Sequence, residues 1–438
     1  MERRVLAMNP RDDIDRIREA VDLLELASEV TAMCVRGSQY VGRCPFHEER
    51  TPSFSVDRVR GVFHCFGCGA GGDAITFYRL LTGASFRQAL QELAQRFQVA
   101  ATLQARPGRA PTELLSALDA ATGYYCDCLE QPGGTPARDY LDRRQVPKAI
   151  REAYRLGFSP PGGRSLQDAL GARFGVEILS ASGLVRPSRV GEAVLLDLFR
   201  DRIMFPISDE AGRVVGFGGR RIEDGGRGPK YLNSPNTAVF SKSRSFFGLA
   251  QALPALRRSR RVFLVEGYFD VLAMAAASAG PALGLMSASL QAEQVRGLAR
   301  QVREVVLLLD ADGAGRRAAA AMTPSLLRAE ITVLEAHLPI GLDPAALRET
   351  QGDPPLQAVC GAAEDVVLAS LRRLREAGDL AQETEAIRFL LQFVRAVPDD
   401  ARRLAYAGRI ARDLGLPPDA LFELVLRQPS GAARSRAR

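Results

Sequence analysis

The chain has 438 residues, of which 46% are hydrophobic and 25% charged, a balance typical of a globular protein with more than one domain. No apolar run approaches the roughly 20 residues that span a bilayer and the first residues lack a signal-peptide core, so we expect a cytoplasmic protein without a membrane segment. The formal charge of +7 favours a polyanionic partner such as nucleic acid.

The first chemical motif is a cluster of cysteines and histidines. Two residues separate Cys44 from His47; seventeen more precede Cys65, and Cys68 follows after another two. Two such knuckles present four ligands to one ion, so the spacing predicts a closed, structural Cys3His zinc site. The alternative is four reduced core residues without metal. His64 adjoins Cys65 in a segment typical of a strand, where neighbours point to opposite faces, and we expect it not to be a ligand.

The remaining elements follow in chain order. Short strands surround the cysteine cluster and two helices come after it, at 72–83 and 85–97. Residues 201–221 indicate two strands around a turn. From residue 261, apolar strands alternate with helical segments, which predicts a parallel α/β sheet, and from about residue 361 the pattern is helical.

Carboxylates stand directly after two of the apolar strands. Glu266 follows the strand at 261–265, and Asp310 and Asp312 follow the one at 304–309. The carboxyl ends of parallel strands meet at one edge of a sheet, where such folds place their sites. Three carboxylates there make an oxygen-rich pocket for Mg²⁺ or Mn²⁺. Helix capping is the alternative for an isolated pair, but the coincidence of all three favours metal.

A basic segment extends from Arg200 to Arg244, with nine Lys or Arg residues and five Asp or Glu residues. Its cations are interleaved with Gly, Tyr and Asn in the stretches GFGGRR, PKYLNSP and FSKSRS. This composition suits the binding of phosphates and the stacking or hydrogen bonding of bases. Taken singly, any of these residues is more often a solvated surface cation.

Together these motifs resemble those of the bacterial DNA primases, the replication enzymes that make RNA primers. The match covers nearly the whole chain in order, through CPFHEERTPSF, FHCFGCGAGGDAI, DRIMFPI, GRVVGFGGR, PKYLNSP, VEGYFD and DADGAGRRAA. The resemblance implies a multidomain α+β and α/β chain, with an N-terminal zinc ribbon that helps to read the template, and a polymerase core. That core would contain a basic α/β subdomain, a Toprim fold and a C-terminal helical subdomain.

The resemblance and the composition together suggest domain boundaries. We place a zinc-binding domain at 1–103, a linker rich in Pro, Gly and Arg at 104–112, the basic subdomain at 113–258, the Toprim subdomain at 259–345, the helical subdomain at 346–428 and a basic tail at 429–438. We expect a monomer that acts at the replication fork.

The resemblance also implies roles for individual residues. Zinc would be bound by Cys44, His47, Cys65 and Cys68, and the catalytic Mg²⁺ or Mn²⁺ ions by Glu266, Asp310 and Asp312, with Asp270 and Asp343 as outer partners. The cleft for the single-stranded DNA template and the ribonucleoside triphosphate would be lined by Arg144, Arg202, Arg220, Lys230, Tyr231, Asn233 and Lys242. Cations would neutralise phosphates, while metal ions would activate the primer hydroxyl and stabilise the pyrophosphate.

Two features depart from the family pattern. The family has an acidic patch of the form Asp-Gly-x-Asp-Pro-Asp, whereas this chain keeps Asp343 but has Ile340 and Ala345 at the other two acidic positions. We therefore expect the outer metal to bind weakly without nucleotide. The chain also ends soon after the core helices, without the C-terminal domain that binds the replicative helicase in the family. Either the sequence is part of a longer protein, or it belongs to a lineage that recruits helicase differently.

Two alternative functions stay open at this stage. Another Toprim enzyme, a nuclease or a topoisomerase, would share the Glu and Asp-x-Asp pattern but would lack the zinc knuckles and the PKYLNSP stretch. A catalytically weak template-binding protein is the second alternative, suggested by Ala345. Incorporation of ribonucleotides on a single-stranded template separates the three functions.

Overall fold

The computed structural model describes residues 16–37, 39–47, 49, 51–82, 86–97, 99, 111–188, 191–222, 229–286, 289–415 and 417. The chain divides into two compact units between Gly108 and Arg109, within the segment predicted as a linker. Most of that linker, and all of the predicted basic tail, lie outside the described residues. In the segments that are described, every helix is too short or too polar to span a bilayer.

The first unit is built on an antiparallel sheet whose strands pair in chain order. They are β1 (Cys34–Arg36), β2 (Gln39–Gly42), β3 (Phe54–Asp57), β4 (Val62–Cys65) and β5 (Gly71–Asp73), and the helices are Leu23–Ser28, Ala74–Thr82 and Phe86–Arg96. Alternation along β4 buries Phe63 and Cys65 and exposes His64. The rings of Phe54, Phe63 and Phe77 fill the small core, with centroids 5.4 to 5.8 Å apart.

The second unit begins with an antiparallel sheet and a separate hairpin. The sheet has the order β11 (Tyr231–Asn233), β10 (Val214–Arg221), β9 (Arg202–Ser208) and β6 (Gly157–Ser159), and the hairpin pairs β7 (Val185–Ser188) with β8 (Gly191–Asp197). The helices here are Pro111–Glu130, Thr135–Arg143, Lys148–Ala153 and Ser165–Ala181, with a 3-10 turn at Pro132–Gly134. The two strands predicted at 201–221 are confirmed as β9 and β10; Arg202 begins β9, Arg220 and Arg221 end β10, and Lys230 directly precedes β11.

The predicted parallel sheet is also confirmed. Its order is β13 (Ala282–Gly284), β12 (Arg261–Val265), β14 (Glu304–Leu307), β15 (Thr332–Glu335) and β16 (Glu364–Asp365), where only β16 is antiparallel. Its helices are Leu249–Ser259, Tyr268–Ala276, Ala292–Gln301 and Gly313–Arg328. From β12 the chain adds β13 on one side and β14 on the other, and open α/β sheets bind ligands beyond the strand ends at such a reversal.

Helices complete the second unit, as the sequence predicted. They are Pro344–Gln351, Asp353–Gly361, Val366–Glu376, Leu380–Ala396 and Asp400–Leu414. Leu390, Phe393 and Ile410 belong to the same buried apolar cluster as Val305 and Leu307 of β14. The parallel sheet and the last three of these helices therefore share one core, which gives the residues at the strand ends a rigid support.

Candidate metal centres and nucleic-acid interface

The four predicted zinc ligands converge in the first unit. Their ligand atoms all lie within 4.8 Å of one another. Cys44 Sγ is 3.8 Å from Cys68 Sγ, and Cys65 Sγ is also 3.8 Å from His47 Nδ1. Ligands held about 2.0 to 2.3 Å from a tetrahedral ion stand roughly 3.3 to 3.8 Å apart, so the donor set and its spacing fit zinc. His64 lies exposed on β4, outside this group.

The backbone of the second knuckle explains how its sulfur atoms reach the common point. The N–H groups of Gly67 and Cys68 each donate to Cys65 Sγ over 3.4 Å. Gly67 also lacks the side chain that would block the site, because a Cβ there would come within 2.6 Å of His47 Nε2. Gly67 therefore lets the two knuckles approach each other.

Glu49 supports the zinc site from outside the ligand group. Its Oε1 accepts the N–H groups of Cys44 at 2.7 Å and Ser53 at 3.0 Å. Its Oε2 accepts the Ser53 hydroxyl, which holds the pKa of Glu49 below its usual range, and lies 3.3 Å from His47 Nε2. A nitrogen that faces a carboxylate carries the proton, so Nδ1 of His47 keeps the lone pair that a metal needs.

Glu266 and Asp310 meet at the carboxyl edge of the parallel sheet, between β12 and β14. The N–H of Asp310 donates to Glu266 Oε1 over 3.3 Å. Burial, followed by the negative charges of Glu266, Asp343 and Asp312, raises the pKa of Asp310 to about 6. A divalent cation would relieve this crowding of carboxylates, and oxygen donors are the ligands that Mg²⁺ and Mn²⁺ prefer.

Asp312 both caps a helix and borders the acidic cluster. Its Oδ1 accepts the N–H groups of Gly315 at 2.7 Å and Ala314 at 2.8 Å, which hold its pKa below the usual range. Its Oδ2 makes no hydrogen bond to any described residue. Gly315 permits this tight turn, since a Cβ there would lie 2.2 Å from the Asp310 carbonyl oxygen. Capping and metal binding are therefore compatible at Asp312.

Asp270 connects two segments of the acidic site. It is buried, and its two oxygens accept the N–H groups of Gly267 at 2.8 Å and Ala345 at 3.2 Å. Burial, followed by the charge of Asp343, raises the pKa of Asp270 to about 7. The carboxylate thus ties the turn after β12 to the segment that carries Asp343, and its role as an outer metal partner stays a prediction.

Ile340 and Ala345, which replace acidic residues of the family's Asp-Gly-x-Asp-Pro-Asp patch, have different surroundings. Ala345 is 3% exposed and packs in the main core, whereas Ile340 is 94% exposed. Asp343, between them, caps the helix Pro344–Gln351 through the N–H of Ala346. The Ala345 side chain therefore lies among apolar residues, and its N–H donates to buried Asp270.

Arg202, one of the predicted binding residues, is buried with only 5% of its surface exposed. Its guanidinium donates to the carbonyl oxygens of Gly219 at 3.0 Å, Lys230 at 3.1 Å and Pro229 at 2.8 Å. These bonds fix β11 and the residues before it against β10. Arg202 therefore shapes the segment that carries Lys230 and Tyr231.

The other predicted binding residues of the basic segment differ in exposure. Arg220 is 3% exposed, and its guanidinium lies 4.3 Å from the centroid of the Tyr140 ring. Lys230 and Tyr231 are exposed, while Asn233 and Lys242 are half-buried. Lys230 and Tyr231 are therefore available to a ligand at the surface, whereas Arg202 and Arg220 are buried and held in place.

Arg144 is held by contacts across the second unit. Its guanidinium donates to both carboxylate oxygens of Glu349, at 2.8 and 2.9 Å, and lies 4.8 Å over the ring of Phe269. Because Glu349 is 205 residues away in sequence, no local pattern could indicate this pairing. The predicted contact of Arg144 with template or nucleotide stays a prediction.

Comparisons with known proteins assign the chain to a family. Residues 9–107 match the CHC2 zinc finger family, residues 124–253 the N-terminal domain of the DNA primase catalytic core, and residues 263–347 the Toprim-like family. A DNA primase of Halalkalibacterium halodurans is 33% identical over 423 residues, which cover 94% of this chain and 70% of that protein. One from Aquifex aeolicus is 32% identical over 411 residues, covering 94% and 80%.

The chain belongs to the bacterial DNA primases. Its activity class is therefore DNA-directed RNA synthesis, as predicted, rather than that of a Toprim nuclease or topoisomerase. The crystal structure of the zinc-binding and RNA polymerase domains of Aquifex aeolicus primase matches with a TM-score of 0.64 at 30% identity, covering 94% of this chain and 99% of that one. A DnaG primase catalytic domain bound to single-stranded DNA matches with 0.62 at 29% identity, covering 71% and 98%.

Sequence reasoning about this primase missed three residues that support its sites. Glu49 lies two positions after His47, where an acidic residue beside a zinc knuckle was a usable signal. Tyr268 lies within the VEGYFD motif, but its hydroxyl partner is 35 residues away. Glu349, the partner of Arg144, gave no signal in the sequence.

Proposed function

We propose that this primase makes RNA primers on single-stranded DNA at a site formed by Glu266, Asp310 and Asp312. The meeting of Glu266 and Asp310 at the strand-order reversal, where their charges crowd, is the observation that carries the proposal. When bound there, Mg²⁺ or Mn²⁺ would act as a Lewis acid that activates the attacking hydroxyl and stabilises the departing pyrophosphate. The catalytic domain bound to single-stranded DNA supports the choice of template.

The basic surface, which we define by Lys230, Tyr231, Asn233 and Lys242, would bind the nucleic acid and the nucleotide. Lys230 and Lys242 would bind phosphates as flexible point charges, and Tyr231, 39% exposed, would offer its ring to a base. These cations are needed because the carboxylates of the acidic edge repel polyanions. Arg202 would act through the backbone that it holds, so we assign it a positioning role beneath the surface.

The zinc ion would have a structural role in the first unit. Four protein ligands leave no open coordination position, so Cys44, His47, Cys65 and Cys68 would hold the ribbon folded rather than present a reactive metal. The unit has a small core, and metal binding there contributes folding free energy. We infer that the folded ribbon presents its exposed strand faces to the template.

Primer synthesis by the purified chain tests this function. We expect labelled ribonucleotides to be incorporated on single-stranded DNA, with a requirement for template and for a divalent cation. Omission of the template and addition of a chelator serve as controls. A chain that binds single-stranded DNA but incorporates no ribonucleotide with either Mg²⁺ or Mn²⁺ would instead be the catalytically weak template-binding protein.

A further inference from the structure

The hydroxyl of Tyr268 links the turn after β12, which carries Glu266, to strand β11 of the antiparallel sheet. It donates to Asn233 Oδ1 over 2.5 Å. Tyr268 begins the helix that follows Glu266, whereas Asn233 ends β11, the strand that begins with Tyr231. One hydrogen bond therefore connects the turn that carries a proposed metal ligand to the strand that carries proposed nucleotide contacts.

The ring of Tyr268 is fixed by the core. It is 8% exposed, stacks on Phe205 with centroids 4.7 Å apart, and meets Phe247 edge to face at 4.9 Å. Packing of this density leaves the ring one orientation. The position of the hydroxyl is consequently set by the fold itself, before any ligand arrives.

Gly218 leaves the space in which the Tyr268 hydroxyl reaches the Asn233 amide. Gly218 is the partner of Asn233 in the register of β10 and β11. A Cβ at position 218 would lie 2.2 Å from the Tyr268 hydroxyl. The second glycine of the GFGG stretch thus provides the slot in which the hydroxyl reaches Asn233.

The hydrogen bond to Oδ1 of Asn233 fixes the orientation of the whole amide, including its NH2 group. Oδ1 accepts from the hydroxyl, so the NH2 group of the same amide points away from Tyr268. Without a fixed partner, an amide can rotate by 180° and present an acceptor where it had presented a donor. Asn233 is half-buried beside exposed Tyr231, so this choice decides what the basic surface offers to a ligand.

We propose that Tyr268 is a positioning residue that holds the amide of Asn233 with its NH2 group toward the incoming ribonucleotide. The inference rests on the proposed function, which supplies that ligand. The phosphate and ribose oxygens of a nucleotide are acceptors and match a fixed NH2 donor. Because Glu266 lies in the turn just before Tyr268, the bond also sets the distance between the Asn233 NH2 group and the carboxylates of Glu266, Asp310 and Asp312, which form the acidic edge.

Steady-state primer extension by Tyr268→Phe, which removes only the hydroxyl oxygen, tests the inference. We expect the KM for the ribonucleotide to rise about three- to tenfold, the effect of one hydrogen bond, while kcat and template affinity change by less than about twofold. In an Asn233→Ala background the same substitution should have no further effect. Tyr154→Phe is the matched control, because Tyr154 is also buried and packs on Phe247.

The outcomes separate this inference from the function on which it rests. A normal KM in Tyr268→Phe beside a raised KM in Asn233→Ala would overturn the positioning role alone, even if the melting temperature fell. An equal rise with and without the Asn233 side chain would also overturn it. A normal KM in Asn233→Ala would remove Asn233 from the nucleotide site, whereas no incorporation by the unmodified chain would refute the proposed function.

Discussion

His47 directs its Nε2 at the carboxylate of Glu49, 3.3 Å away, which leaves Nδ1 for the metal. The same carboxylate accepts the N–H of Cys44. Two of the four zinc ligands are thus oriented by one side chain that is not itself a ligand. Such outer partners fix the tautomer and the direction of a histidine ligand and tighten metal binding.

Glu49→Gln should lower the affinity of the chain for zinc by about ten- to a hundredfold. The backbone N–H groups of Cys44 and Ser53 face one oxygen of Glu49, and Nε2 of His47 faces the other. None of these donors can become an acceptor, so an amide must set its own NH2 against at least one of them. Competition with a colorimetric chelator measures the change. Glu25→Gln, an exposed residue of the helix Leu23–Ser28, controls for the loss of charge, and equal affinities in all three proteins would contradict the role of Glu49.

Cys65→Ser should remove the zinc ion and unfold the first unit. Cys65 is fully buried and accepts two N–H groups in the knuckle, and the small core around Phe54 depends on the metal. Metal analysis should find about one zinc per chain in the unmodified protein and none in the variant. Cys126→Ser, in the second unit, should retain it. Full retention of zinc by Cys65→Ser would show that the ligand set is wrong.

Arg202→Lys should destabilise the second unit by about 1.5 to 3 kcal/mol, because an ammonium cannot reach all three carbonyl oxygens that the guanidinium bonds. Denaturant unfolding of the purified variant measures this loss. Arg213→Lys, on the exposed turn between β9 and β10, is the control and should change stability little. If Arg202→Lys had unchanged stability but weak template binding, Arg202 would contact the ligand directly.

Lys230→Ala should weaken the binding of single-stranded DNA and reduce the salt dependence of that binding by about one ion. Lys230 is exposed, and the physical reason is the release of counterions from each phosphate that a lysine neutralises. Fluorescence anisotropy across a salt series measures both quantities. Lys148→Ala removes the same charge from the helix Lys148–Ala153 and should leave the slope unchanged; identical slopes in the two variants would exclude Lys230 from the interface.

The parallel sheet could be predicted because its strands are buried on both faces. After the charged residues Arg261 and Glu304, the sequence is continuously apolar over 262–265 and 305–309, and the carboxylates after these runs mark the strand ends. The zinc site could be predicted for a different reason, because the two ligands of each knuckle lie close together in sequence. The two-residue strand Glu364–Asp365 was missed, because so short an edge carries no pattern.

Burial of charged and small residues was what the sequence could not indicate. Arg202 and Arg220 look like surface cations in a basic stretch, yet each is fixed beneath the surface by backbone carbonyls or a tyrosine ring. That Ala345 weakens the outer metal site stays a prediction, and nothing in the sequence indicated that its side chain packs in the core while its N–H donates to Asp270. These contacts join residues far apart in sequence and depend on the completed fold.

Primer synthesis by Asp310→Asn tests the central claim most directly. The substitution keeps the shape of the side chain, removes the charge that a divalent cation needs, and leaves the basic surface intact. Asp168→Asn, an exposed residue of the helix Ser165–Ala181, is the control. We predict that Asp310→Asn lowers the rate of ribonucleotide incorporation on the order of a hundredfold or more, while it binds single-stranded DNA at least as tightly as the unmodified chain. Incorporation at the normal rate by Asp310→Asn would contradict the assignment of the acidic edge as the site of catalysis.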